Sequence, residues 1–199
     1  MGKTKISKSF DFCYGHRVWS QKLNGKFSID SLCACRHLHG HQGKIVVYLK
    51  QKGGKTTDGM VTDFKHLGFF KKFIDSTFDH KMILDISDPV LHELFPLLFI
   101  EEGEGKRGIN KNLLVHENDV YYPNLDKLTT LLYLRDNGSV SNELLELYEG
   151  LVLVNFVPTS ENIAKYMLKF VNSKVSELGV ICCKIDFFET PKSQSSYKI

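Results

Sequence analysis

The chain has 199 residues, 42% of them hydrophobic and 25% charged, which is enough for one well-buried core and excludes a disordered or low-complexity polypeptide. Its formal charge of +3 comes without a long basic block, which argues against a nucleic-acid footprint while leaving room for an anionic small substrate. No apolar run reaches the length of a membrane span, MGKTKISKSF lacks the apolar centre of a signal peptide, and Ile6 stands where a myristoylation signal wants Ser or Thr, so the expected location is the cytoplasm. Five cysteines, an odd number with two adjacent in an apolar run, suit reduced thiols better than a disulfide framework.

Residues 5–14, KISKSFDFCY, alternate around Ile6, Phe10 and Phe12 as a first strand, with His16 just past its end. Residues 20–34 read as a long loop that delivers Cys33 and Cys35. In the stretch that follows, CRHLHGHQGKIVVYLKQ, His39 and His41 are two apart, so in a strand starting at or before Leu38 both imidazoles leave one face and can reach one ion. Imidazole suits zinc, and a catalytic zinc takes three protein ligands with the fourth position left to water or substrate. His16 is the candidate third ligand. Two surface histidines on a strand, and a solvated histidine beside Arg17, are the plain alternatives.

Lys44 to Leu49 continues the strand, and Lys52-Gly53-Gly54-Lys55 signals a turn. After Asp58-Gly59, Asp63 is a natural N-cap for a helix whose apolar residues are Leu67, Phe70, Phe73 and Ile74. Asp79-His80 then sits in a polar loop, and VLHELFPLL predicts a short helix disturbed by Pro96. The segment from about 99 to 149 reads as a small helical insertion. It opens with an exposed Gly-rich charged loop and a short strand within 109–115, and carries helices from Leu125 to Leu134 and, capped by Ser141, to about Tyr148. LVLVNF is a buried-strand run, Thr159 or Ser160 caps a helix on Ile163, Met167, Phe170 and Val171, and Leu178 to Phe188 and Ser195 to Ile199 are closing strands. The order implies one α+β domain over residues 1–199, with helices on one face of an antiparallel sheet.

The segments FDFCYGHRV, CRHLHGHQGKIVVYL, GMVTDFKHL, FDHKMIL, VPTSENIAKY and the strand ending FFET occur in the order seen in the 6-pyruvoyltetrahydropterin synthase / 6-carboxytetrahydropterin synthase family, which the chain resembles outside residues 99–149. The resemblance is strongest to the branch of queuosine and 7-deazaguanine biosynthesis. It implies a tunnelling fold with a four-stranded antiparallel sheet and two helices on one face. It implies zinc on His16, His39 and His41, a catalytic thiol at Cys35 and a proton-relay pair at Asp79 and His80. It further implies a pterin anchor at Glu189, helped by Thr159 and Glu161, and a dimer of trimers with active sites between subunits. The implied reaction is a zinc-dependent carbon–oxygen lyase step, from 7,8-dihydroneopterin triphosphate to 6-carboxy-5,6,7,8-tetrahydropterin, acetaldehyde and triphosphate.

Two departures are visible. Residues 99–149 exceed what short family members carry there. Cys35 stands before His39-Gly40-His41 at the spacing of the carboxy-forming branch, whereas Cys33 stands at the spacing of the pyruvoyl-forming branch. The alternatives are therefore a 6-pyruvoyltetrahydropterin synthase and a non-catalytic module with a structural zinc on Cys33, Cys35, His39 and His41.

Overall fold

A computed structural model describes residues 4–28, 33–53, 59–103 and 105–199. Parts of the expected 20–34 loop, of the Lys52–Lys55 turn and of the Asp58-Gly59 step lie outside those residues. The strands are β1 (Lys5–His16), β2 (His39–Gln51), β3 (Lys81–Asp85), β4 (Phe99–Gly103), β5 (Lys106–Ile109), β6 (Leu114–Glu117), β7 (Val120–Pro123), β8 (Leu151–Val154), β9 (Val180–Thr190) and β10 (Ser193–Lys198). The helices are α1 (Gly68–Thr77), α2 (Leu91–Leu94), α3 (Leu125–Arg135), α4 (Asn142–Glu149) and α5 (Ser160–Val175). They fall into two compact units, one of residues 1–15, 39–80 and 159–199, the other of residues 16–38 and 81–158.

In the first unit the strand order is β10-β9-β2-β1, and β9 runs antiparallel to both β2 and β10. Alternation decides which face of β1 is covered: Phe10, Phe12, Tyr14 and His16 are buried, while Asp11 and Cys13 are exposed. The pattern carries through to His16, which is the strand's last residue rather than one beyond it. Helix α5 packs on β9 and β10. Aromatic rings fill the core, with Phe73 stacked on Phe170 at 3.9 Å between centroids and Phe10 edge-on to Phe70 at 5.0 Å. Each such pair adds roughly 0.5–1.5 kcal/mol beyond the area it buries. Asp63 acts as expected, accepting from the Lys65 N–H at 2.7 Å to start the turn that feeds α1. Of the two candidate caps of α5, Thr159 does the work, its hydroxyl accepting from the Asn162 N–H at 3.3 Å.

Gly43 shows how tightly β1 and β2 meet. A Cβ there would stand 3.0 Å from Tyr14 Cε1 and 3.2 Å from Phe12 Cε1. Gly43→Val is therefore expected to destabilise the protein by about 1–3 kcal/mol through overpacking, read as a lower denaturation midpoint with an unchanged m-value.

In the second unit the strand order is β3-β8-β7-β6, with β8 parallel to β3 and antiparallel to β7, and β4 pairs with β5 as a separate hairpin. Its core joins Leu84, Leu91, Phe95, Leu128, Tyr148 and Leu153. Tyr148 is 1% exposed and can be so because its hydroxyl accepts the Leu97 N–H at 3.0 Å. These strands correct two expectations. Strand pairing is more extensive and more mixed than a four-stranded antiparallel sheet, since β3 and β8 are parallel. Residues 99–149 are not simply helical, for they hold β4, β5, β6 and β7 besides α3 and α4. The helix expected over 90–98 is cut to Leu91–Leu94, followed by a 3₁₀ turn that Pro96 begins.

Candidate active site

Three imidazoles converge where β1 ends and β2 begins. One ring nitrogen from each of His16, His39 and His41 lies within 4.8 Å of the others. His39 and His41 share a face because they are the first and third residues of β2, and their rings meet edge to face at 4.9 Å. Between them Gly40 admits the neighbouring strand: a Cβ there would stand 3.1 Å from the Tyr14 carbonyl oxygen.

His16 is 1% exposed, and its Nδ1 lies 2.7 Å from the Pro158 carbonyl oxygen. A carbonyl only accepts, so Nδ1 carries the proton and Nε2 keeps a lone pair. That is the tautomer a metal ligand needs, fixed by an outer partner as metal-binding histidines usually are. Burial, reinforced by the neighbouring His39, also lowers the pKa of His41 and favours its neutral form. Three imidazoles in reach of one point fit a borderline-soft divalent ion with an open fourth position.

The second unit explains how the segment after His16 is held. Arg17 pairs with the buried Asp88 carboxylate at 3.2 Å, Trp19 Nε1 donates to Asp85 at 2.9 Å, and Val18 N–H donates to the Cys35 carbonyl at 2.8 Å. Cys35 lies in a 3₁₀ turn, Ala34–Arg36, which Arg36 ties to the Gln21 carbonyl at 2.9 Å. Its backbone is thus pinned two residues from His16. Cys33 caps that turn, its sulfur accepting from the Cys35 N–H at 3.5 Å. Neither thiol belongs to the histidine cluster among the described residues. The remaining cysteines of β9, Cys182 and Cys183, are buried, and burial pushes the Cys182 thiol up to about 12, which makes it inert packing.

Glu189, near the end of β9, is a half-buried carboxyl whose pKa is raised by burial and by the charge of Glu161, against an opposing pull from His39. The same carboxylate helps burial push the Tyr14 phenol up. These couplings place Glu189, Glu161 and His39 in one electrostatic neighbourhood. Thr159 heads α5 at the turn before Glu161, and its cap bond gives it a structural role independent of any ligand.

Asp79 and His80 occupy the turn after α1, with His80 Nδ1 3.1 Å from Asp79 Oδ1. The Cys13 N–H donates to Asp79 Oδ1 at 2.8 Å, and this bond, with a smaller contribution from His80, holds the Asp79 carboxyl below the usual carboxylate range. The structure groups the pair with Cys13, not with Cys35. The sequence alone assigns no role to Cys13, Arg17 or Asp88, because their partners are more than sixty positions away.

An α+β fold thus carries a histidine cluster at the end of its first strand and a half-buried carboxyl near the end of a later one. The chain belongs to the 6-pyruvoyl tetrahydropterin synthase family, whose model matches residues 5–199. A 6-carboxy-5,6,7,8-tetrahydropterin synthase of Aquifex aeolicus is 27% identical over 205 residues, spanning 98% of each chain. The solved structure of an uncharacterised protein of Wolinella succinogenes is 43% identical and superposes with a TM-score of 0.83 over 100% of this chain and 99% of that one. The 6-pyruvoyl tetrahydropterin synthase of Caenorhabditis elegans, 20% identical, shares the fold with a TM-score of 0.52 over 100% of this chain and 97% of its own.

Proposed function

We propose that this protein is a zinc-dependent carbon–oxygen lyase that converts 7,8-dihydroneopterin triphosphate and one water to 6-carboxy-5,6,7,8-tetrahydropterin, acetaldehyde and triphosphate, in queuosine and 7-deazaguanine biosynthesis. The observation that carries this reading is the convergence of His16, His39 and His41 on one point, with Glu189 electrostatically coupled to His39. His16, His39 and His41 would hold the ion, which when bound supplies Lewis acidity to a side-chain hydroxyl or carbonyl of the substrate.

The protein's own groups do the rest. Glu189 receives the guanidine-like edge of the pterin through paired charge-assisted hydrogen bonds, with Thr159 and Glu161 bordering that edge. Cys35 takes the proton from the side-chain carbon. Asp79 fixes the tautomer of His80, which returns protons. The His80 side chain is 79% exposed, and the assembly that goes with this reading is a dimer of trimers with sites between subunits. Residues 99–149 take no part in the chemistry.

The grouping of His39 and His41 with His16 and with neither thiol favours this reading over a structural zinc on Cys33, Cys35, His39 and His41. Incubation with dihydroneopterin triphosphate and mass analysis of the pterin tests the proposal. A carboxy-pterin supports it, and a pyruvoyl product or unchanged substrate overturns it.

Glu189 gives this site a pH signature. Its raised pKa means that the free protein holds the proton more tightly than an ordinary carboxyl, while the pterin edge binds the ionised form. Affinity is therefore expected to rise with pH through the raised pKa, seen as a falling KM. Glu189→Gln should flatten that profile and cost about 10²–10³ in kcat/KM, the loss typical of removing one partner of a buried charge-assisted pair. In the ligand-free protein the sign reverses. The folded state binds more protons than the unfolded one above the carboxyl's ordinary pKa, so stability falls as pH rises through that window, and Glu189→Gln is expected to raise Tm at neutral pH.

A further inference from the structure

We propose that Cys13, Asp79 and His80 form a second site for a zinc-type divalent ion, distinct from the three histidines. The strand itself separates the two centres. His16 lies on the buried face of β1 with Phe10, Phe12 and Tyr14, whereas Cys13 is exposed on the opposite face.

A thiol, a carboxylate and an imidazole are the three side-chain types that bind zinc, and here their ligand atoms lie within 4.8 Å of one another. Zinc bonds of roughly 2.0–2.3 Å in a tetrahedron set ligand atoms about 3.3–3.8 Å apart. The 3.1 Å separation of His80 Nδ1 and Asp79 Oδ1 is already close to that spacing, and the thiol needs a side-chain adjustment of about 1 Å to join them.

The backbone is built to keep the three together. The Cys13 N–H donates to Asp79 Oδ1 at 2.8 Å, and the His80 N–H donates to the Cys13 carbonyl at 2.6 Å, so the turn is clamped to the residue that supplies the sulfur. His80 adopts φ 58°, a left-handed conformation uncommon for a residue with a side chain and concentrated at functional sites. The imidazole is 79% exposed and the carboxylate 29%, leaving the ion accessible and its fourth position to water. Sulfur and nitrogen donors select zinc or cadmium over magnesium or calcium.

Occupancy would withhold Asp79 and His80 from proton transfer, so excess zinc should inhibit the enzyme. That consequence rests on the relay role proposed above; the site itself does not. The test is zinc titration of the metal-stripped protein, followed by elemental analysis of retained zinc, with cadmium as a spectroscopic probe of thiolate bonding. Wild type and Cys35→Ala should each bind two zinc ions per chain, and Cys13→Ser and His41→Ala one. The cadmium–thiolate charge-transfer band should vanish in Cys13→Ser and persist in Cys35→Ala.

A single zinc per chain in wild type, or a cadmium band indifferent to Cys13→Ser, would overturn the site. Turnover should fall about 10²-fold as the second ion fills in wild type, and not in Cys13→Ser. Two ions bound with the expected cadmium behaviour but with turnover untouched would uphold the site and remove the relay role from Asp79 and His80.

Discussion

His39→Ala and His41→Ala are expected to yield folded protein that has lost the histidine-bound metal and turns over about 10³-fold more slowly or worse, because Lewis-acid assistance worth several kcal/mol disappears with the ion. Metal analysis and a thermal melt check this together. The fold should survive, since the core is built from Phe70, Ile45, Val47, Phe187 and their neighbours, all buried without help from a metal.

His16→Ala should differ in one respect. That side chain is 1% exposed and its Nδ1–H satisfies the Pro158 carbonyl, so its removal leaves a small cavity and a carbonyl without that donor. An added cost of about 1–3 kcal/mol follows, visible as a lower Tm in His16→Ala than in the other two variants. Global unfolding of wild type on chelation would contradict both statements.

Periodicity made much of this fold legible. Helices α3, α4 and α5 and strand β9 declare themselves by apolar spacing, with Ser141 as the cap of α4 and Thr159 or Ser160 as that of α5, and they stand within a few residues of where the sequence puts them. Strands β3 and β7 do not. Each is only four or five residues long, and β3 is buried at three consecutive positions, so neither shows the alternation by which a strand is recognised. The turn before β3 is equally silent, for nothing in a histidine announces a positive φ.

The site divides in the same way. His39 and His41 are legible because a period of two in a strand is a local property. The anchoring of Cys35 and of the residues around His16 is not, because it depends on Asp85 and Asp88 reaching back to Trp19 and Arg17 across the chain. The pairing of Asp79-His80 with Cys13 joins residues 66 positions apart, which leaves no trace in either stretch alone.

Cys35→Ala is expected to abolish carboxy-pterin formation to within the residual level left by binding and metal, a loss of about 10²–10⁴ in kcat, while Cys33→Ala keeps most of it. The two thiols differ in what their turn does with them. Cys33 spends its sulfur on the turn, accepting the Cys35 N–H at 3.5 Å, a weak bond whose loss loosens the turn without removing a reacting group. Cys35 has its backbone fixed on both sides: its carbonyl takes the Val18 N–H at 2.8 Å, and the next residue, Arg36, reaches the Gln21 carbonyl at 2.9 Å. A backbone so constrained, tied to a residue two positions after His16, limits the places the thiol can reach, which is what a proton-abstracting group requires. Retained metal and an unchanged melt in Cys35→Ala would locate the defect in chemistry rather than folding. If Cys33→Ala instead lost the carboxy-pterin, or selectively removed a pyruvoyl product, the pyruvoyl-forming reaction would replace the one proposed here.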